Sequence, residues 1–123
     1  MSHVLSLLPI RLDILLVRGK AAPLRATFAH PDTAVPYDIT LDTITLTVRD
    51  GYTGAVLFTK SNAPGAHEDP ENGVTVLDIT AADVADPGNE GVEVDYTYAI
   101  NRIEPGGAAT VFWQGIFRLK PTV

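Results

Sequence analysis

Apolar and polar residues alternate along most of this chain. Ile44, Leu46 and Val48 alternate with Thr45, Thr47 and Arg49. Asp50-Gly51-Tyr52-Thr53-Gly54 follows, and then Val56 and Phe58 alternate with Leu57 and Thr59. Period-two runs on both sides of a glycine-rich turn predict a β-hairpin. Val92, Val94, Tyr96, Tyr98 and Ile100 alternate with Glu93, Asp95, Thr97 and Ala99, the clearest half-buried strand of the sequence. Near the start, Leu12, Ile14 and Leu16 alternate with Asp13, Leu15 and Val17, so a first strand is expected to be covered on both faces. Leu24 to Phe28 reads as a second strand with Leu24, Ala26 and Phe28 on one face. In Val74 to Ile79 the expected core face is Thr75, Leu77 and Ile79. The last strand carries Val111, Trp113, Phe117 and Leu119 on one face, broken by Gly115, and Thr110, Phe112, Gln114, Ile116 and Arg118 on the other.

Turn residues punctuate these runs. Arg18-Gly19-Lys20 turns the chain after the first strand, and Pro31 and Pro36 keep the following loop out of a sheet. Ser61 to Gly73 is a polar loop closed by Asn72-Gly73, and Glu104-Pro105-Gly106-Gly107 is a hairpin connection. Thr80-Ala81-Ala82-Asp83 has the form of a helix N-cap, which predicts one helical turn over Ala81 to Ala85, stopped by Pro87-Gly88-Asn89. Seven strands with short connections predict an all-β protein, an antiparallel two-sheet β-sandwich with at most one short helix. Residues 1–11 read as an N-terminal arm and residues 12–123 as a single domain.

The 123 residues are enough to bury about two-thirds of the unfolded chain's surface. There is no cysteine, which excludes disulfides, thiolate nucleophiles and cysteine-bound zinc and fits a reducing compartment or a particle assembled in one. The net charge of −6 and the scattered nine Lys and Arg argue against nucleic-acid binding. The apolar start is interrupted by Pro9, Arg11 and Asp13 and lacks a basic leader, so it reads neither as a signal peptide nor as a membrane span.

Candidate chemistry is sparse. His3, His30 and His67 all fall in predicted tails or loops, and His67-Glu68-Asp69 matches no rigid metal-site spacing, so a solvated loop is expected. Asp69, Glu71 and Asn72 alternate somewhat as in a calcium loop but lack its distal glutamate frame. Glu93 and Asp95 share a strand face that reads as solvent-facing. No serine lies in a nucleophile elbow and no glycine-rich loop precedes a helix, so no enzyme, metal or cofactor is expected. Trp113, Tyr96, Tyr98, Phe117 and Phe58 are expected in the core with Val94, Leu46 and Val48; Phe112 and Tyr52 are the aromatics expected outside it.

Three segments taken in order resemble a known group. They are Asp13-Ile14-Leu15-Leu16-Val17-Arg18-Gly19; Val35-Pro36-Tyr37-Asp38-Ile39-Thr40 with the Ile44 to Arg49 strand, Gly54 and Ala55-Val56-Leu57-Phe58; and Gly73 to Ile79 with Thr80-Ala81-Ala82-Asp83 and the Tyr96-Tyr98 strand. The chain closes with Trp113-Gln114-Gly115-Ile116-Phe117-Arg118-Leu119. This order resembles the small Ig-like domains of tailed-phage virion proteins, and in particular the N-terminal domain of the baseplate upper protein family. The resemblance runs from about Leu12 to Leu119 and rests on strand and turn patterns. It implies an Ig-like sandwich and a non-enzymatic structural role in a virion, as a tail, baseplate or fibre-attachment adaptor assembled in the host cytoplasm. Members of that family often carry a stalk or fibre segment after this domain. Because this sequence stops at Val123, the expectation is a stand-alone adaptor or decoration subunit.

The partners expected are other virion proteins and further copies of the chain in a symmetric oligomer, with neither nucleic acid nor membrane. The assembly arm is assigned to Val4, Leu5, Leu7, Leu8 and Ile10, an apolar stretch with little polar relief. The alternatives are a capsid decoration protein and a carbohydrate-binding β-sandwich module.

Overall fold

The computed structural model describes residues 10–11, 14–30, 33, 35–51, 54–89 and 91–121. Eight strands occur among them: β1 (Ile10–Arg11), β2 (Ile14–Val17), β3 (Ala22–Thr27), β4 (Thr43–Arg49), β5 (Val56–Asn62), β6 (Val74–Ile79), β7 (Val94–Ile103) and β8 (Ala109–Lys120). One sheet has the order β1-β8-β7-β4-β5, with β2 also on β8, and the other is the pair β3-β6. The two sheets enclose one apolar core. The series β8-β7-β4-β5 corresponds to the larger sheet of a variable-type immunoglobulin domain, and β3 with β6 to the central pair of its second sheet. The chain is an all-β, Ig-like β-sandwich.

The inward faces follow the alternation closely. Ile44, Leu46, Val48, Tyr98, Ile100, Phe117 and Leu119 are buried, and on the small sheet so are Ala26, Thr75, Leu77 and Ile79. Phe58 meets Phe117 edge-on at 5.6 Å between ring centroids. These contacts fix the register, because a one-residue slip would turn each of these faces to water.

The structure departs from the pattern in several places. β1 and β2 run parallel to β8, in the registers Ile10↔Trp113 and Ile14↔Phe117, whereas an antiparallel sandwich was expected throughout. The ladder with Trp113 and Gln114 also carries the sheet back to Ile10 and Arg11, inside the stretch read as arm. Leu57 is an extra residue between the pairs Val48↔Phe58 and Arg49↔Val56. That bulge leaves Phe58 buried and turns Val56 out, although the two were expected on one face. A second bulge falls at Phe112, between Ile100↔Trp113 and Asn101↔Val111, and takes Val111 off the core face. Trp113 is half-buried rather than enclosed, packed at 5.2 Å against Phe28. Val92 precedes β7 and is exposed.

No helix forms over Ala81 to Ala85. The expected cap is present, with the Thr80 N–H donating to Asp83 Oδ2 at 2.8 Å and the Asp83 N–H donating to Thr80 Oγ1 at 3.2 Å. The turn does not propagate, because Asp86 sits at φ 44° and Pro87-Gly88 follow. The helical turn among the described residues is instead a 3₁₀ turn, Pro70–Asn72, in the loop before β6.

The connections segregate by end. β3, β5 and β7 finish, and β4, β6 and β8 begin, at the end that carries residues 28–42, 63–73 and 104–108. The opposite end carries residues 18–21, 50–55 and 80–93.

Candidate functional site

The loop end is held together by side chains that the strands deliver there. Arg102, near the end of β7, donates from Nε to Asp42 Oδ2 at 2.6 Å, pairs with Glu104 at 3.1 Å and donates to Tyr37 Oη at 3.3 Å. Its guanidinium carbon lies 4.9 Å from the centre of the Tyr37 ring, whose other neighbour is the stacked His30 imidazole at 4.4 Å. Burial opposes the charge of Arg102, but the Asp42 carboxylate outweighs it and holds the guanidinium above its ordinary range. Beside this group lies an open cleft of about 570 Å³, lined by Asp38, Thr40, Leu41, Asp42, Glu71, Arg102, Glu104 and Pro105. Asp38 accepts from both the N–H and the hydroxyl of Thr40, which keeps its carboxyl below the usual value. The arrangement binds loops to one another; its guanidinium is already engaged by two carboxylates and a phenol.

His67 corrects an expectation. It is 8 % exposed, not solvated. Nε2 lies 2.7 Å from the Asp42 carbonyl and Nδ1 lies 2.9 Å from Thr75 Oγ1. A carbonyl only accepts, so Nε2 carries the proton and Nδ1 accepts from the threonine hydroxyl. Thr75 Oγ1 accepts in turn from Asn62 Nδ2 at 2.7 Å, and the same amide donates to the Val76 carbonyl at 2.7 Å. Gly73 is the joint of this end. Its carbonyl accepts from the Phe28 N–H at 2.9 Å, and a Cβ there would lie 2.4 Å from Phe28 O and 2.7 Å from Tyr37 O.

The opposite end has its own fixed point. Arg18 is buried and donates to the Asp86 carbonyl at 2.8 Å and the Val92 carbonyl at 2.9 Å, with its guanidinium 3.2 Å from Asp86 Oδ2. The Tyr96 hydroxyl donates to that same oxygen at 2.7 Å, and Asn89 Nδ2 approaches both carboxylate oxygens at 3.2 Å. Burial opposes the charge on Asp86, but donation from Tyr96, Asn89 and Arg18 prevails and its carboxyl sits below the usual range. Burial and the adjacent carboxylate push the Tyr96 phenol up to about 12. Tyr96 thus ties the loop between the sheets to the start of β7, as the tyrosine corner does in immunoglobulin domains.

Of the arm residues singled out in the sequence, Val4, Leu5, Leu7 and Leu8 lie outside the described residues. Ile10 begins β1, in ladder with Trp113. Tyr52 and the side chain of Phe112 also lie outside the described residues. Glu93 and Asp95 are exposed and face Arg118, which bonds Asp95 at 2.6 and 2.9 Å. Asp69 and Asn72 bond each other through side chains at 2.9 Å, and among the described residues no three His, Asp or Glu side chains converge. The described helices include none long and apolar enough to cross a membrane.

No protein-family profile and no curated protein matches the chain. Among solved structures, murine CRIg is similar at 13 % identity over 90 % of this chain and 92 % of its own, with a TM-score of 0.41. The periplasmic chaperone SfaE is similar at 13 % identity and a TM-score of 0.40; the match covers 94 % of this chain and about half, 55 %, of the chaperone.

Proposed function

We propose that this chain is a non-enzymatic structural protein of a tailed-phage virion, an adaptor that joins tail, baseplate or fibre subunits and acts through subunit assembly. The reading draws on the resemblance carried by residues 12–119 and on the all-β fold. The observation that carries it is the direction of β1. Parallel pairing of Ile10 with Trp113 brings the chain into the sheet from the loop end, so the apolar residues Val4, Leu5, Leu7 and Leu8 precede a strand that already has its place. Burying such side chains is favourable by about 1.5–3 kcal/mol each. A core already closed around Leu46, Tyr98 and Phe117 offers them little further room, and a neighbouring subunit offers more. Ile10 anchors this arm and the four preceding apolar residues make the contact.

Decoration of a capsid is the same chemistry at another address in the particle. The test is mass spectrometry of purified virions from the genome that encodes the chain. The protein is expected in particles at a copy number matching a tail or baseplate symmetry, and its absence from particles refutes the reading. Deleting residues 2–9 is expected to abolish oligomerisation and incorporation while circular dichroism still reports a folded β-protein.

A further inference from the structure

The two long flanks of the sandwich differ. On the flank where β5 lies beside β6, side chains lace the sheets together. Asn62 caps the Val76 carbonyl, Lys60 Nζ pairs with Asp83 at 2.8 Å, and Val74 exchanges both backbone bonds with Asp69. Both outward backbone groups of Val74 and the Val76 carbonyl are thereby taken. On the other flank β3 pairs with β6 alone among the described strands, and beside it Leu24, Leu16 and Trp113 are only partly covered.

The geometry of β3 defines what this edge offers. The Phe28 N–H bonds to Gly73 O, so the N–H and C=O groups of residues 22, 24 and 26 turn towards β6 and those of residues 23, 25 and 27 turn outward. Pro23 has no N–H. The outer edge therefore presents two donors, on Arg25 and Thr27, and three carbonyls. On the core side the same strand presents Leu24, only partly covered, between Ala22 and fully buried Ala26.

We infer that the β3 edge receives residues 3–8 of a second copy of this chain as an added strand, with Leu5 and Leu7 turned towards Leu24 and Trp113. The inference rests on the assembly reading above. His3-Val4-Leu5-Ser6-Leu7-Leu8 supplies the period-two pair with Ser6 outward, and the nine residues up to Pro9 span up to about 30 Å when extended, against about 20 Å for six residues of β3. The chain's own edge is badly placed for them. Trp113, where β1 enters, packs on Phe28, the residue after β3, so the whole of β3 lies beyond the entry point in the direction in which β1 runs. Residues before Ile10 would have to reverse at Pro9 to lie along it, whereas a straight continuation of β1 leads beside the first residues of β8, from Ala109, and out at the loop end towards a neighbour.

The chain has no cysteine, so crosslinks can be placed freely. Single-cysteine variants, Ser6→Cys in one preparation and Pro23→Cys, Arg25→Cys or Thr27→Cys in another, are mixed as full-length proteins, oxidised and run on non-reducing gels with a size tag on one partner. A mixed disulfide dimer is expected for at least one pairing, in several-fold excess over like-with-like dimers, and Leu5→Asp with Leu7→Asp should abolish it. In a chain carrying both Ser6→Cys and Arg25→Cys, crosslinking within one chain and not between chains overturns the inference in favour of the chain's own edge. So does the absence of any crosslink. In that case loss of assembly on deleting residues 2–9 leaves the assembly reading standing with a different acceptor, and retention of assembly removes both.

Discussion

Replacing Tyr96 with Phe removes one oxygen from the most constrained polar group of the molecule. The ring stays in the core, where it is 7 % exposed, so packing is unchanged. What is lost is a hydrogen bond of 2.7 Å to an ionised carboxylate that is also paired with buried Arg18. Bonds to charged groups contribute about 1.5–3 kcal/mol. Burial, followed by the bond to Asp86 and its charge, raises the phenol from 10.0 to about 12, which corresponds to about 2.7 kcal/mol of preference for the protonated form in the folded state, the hydrogen bond being one part of it. The sign follows from the raised value. The contribution is complete below pH 10, where the phenol is protonated in both states, and is lost as pH rises through about 12, because the unfolded phenol ionises first.

Two measurements therefore have to agree. Urea unfolding followed by Trp113 fluorescence at pH 7 should show the variant less stable by about 2 kcal/mol with an unchanged slope. Repeated between pH 9 and 12, the difference between the two proteins should shrink towards zero, since only the native sequence has this phenol to lose. Other tyrosines and lysines titrate in both proteins and cancel. Equal midpoints at pH 7, or a difference that does not change up to pH 12, would refute the account of Tyr96 as the donor that secures Asp86.

Three further outcomes are expected. Asp86→Asn keeps a residue that tolerates φ 44° but leaves buried Arg18 without its counter-charge, at a cost of about 3–5 kcal/mol in urea unfolding; because this carboxyl lies below its usual value, the native protein should also lose more stability in acid than the variant, as pH falls through the folded value. Gly73→Ala places a Cβ against two carbonyl oxygens at a positive φ, and should either fail to yield soluble protein or lower the thermal midpoint by many degrees, while Gly65→Ala, also at a positive φ but with open space around it, costs only the backbone strain. His67→Leu leaves the Asp42 carbonyl and the Thr75 hydroxyl without their partner and should cost about 2 kcal/mol or more, read by thermal unfolding.

The sequence carried the sandwich because its signal is local. A period of two along Ile44 to Val48, or along Tyr96 to Ile100, is visible within one strand and needs no knowledge of what the strand meets. Bulges at Leu57 and Phe112 escape that logic. Each inserts one residue, reverses the parity of the residues beyond it, and displaces Val56 or Val111 from the expected face, with no glycine or proline at the site to announce it. His67 was misread for a different reason. Its partners are 25 and 8 residues away, and its burial depends on where two loops cross. Arg18 and Asp86 each stand beside a turn, where charge reads as solvated; only the folding of residues 80–92 across the end of β2 brings them together. The cap at Thr80 was read correctly and still made no helix, since a cap lowers the cost of a first turn but cannot extend it into a chain that bends at Asp86.

If β3 receives a partner strand, as proposed, the two flanks of the sandwich have to be guarded differently. An unguarded edge of six residues would template any extended peptide. At the flank of β5 and β6, Asn62 takes the Val76 carbonyl, Asp69 takes both backbone groups of Val74, and Lys60 ties the strand to Asp83. Among the described residues the β3 flank is guarded by Pro23, whose missing donor falls on the outer side, as the Phe28 to Gly73 bond requires. That placement does more than blunt the edge. It leaves the donors of Arg25 and Thr27 at the half of the strand nearest Phe28 and Trp113 and removes the one nearest the opposite end. An incoming strand is then paired over the half of β3 that an arm arriving from the loop end reaches first, and a longer or misregistered strand gains no further bond from Pro23. On the proposed pairing, a proline at this position limits promiscuous strand addition and at once sets the register of the incoming arm.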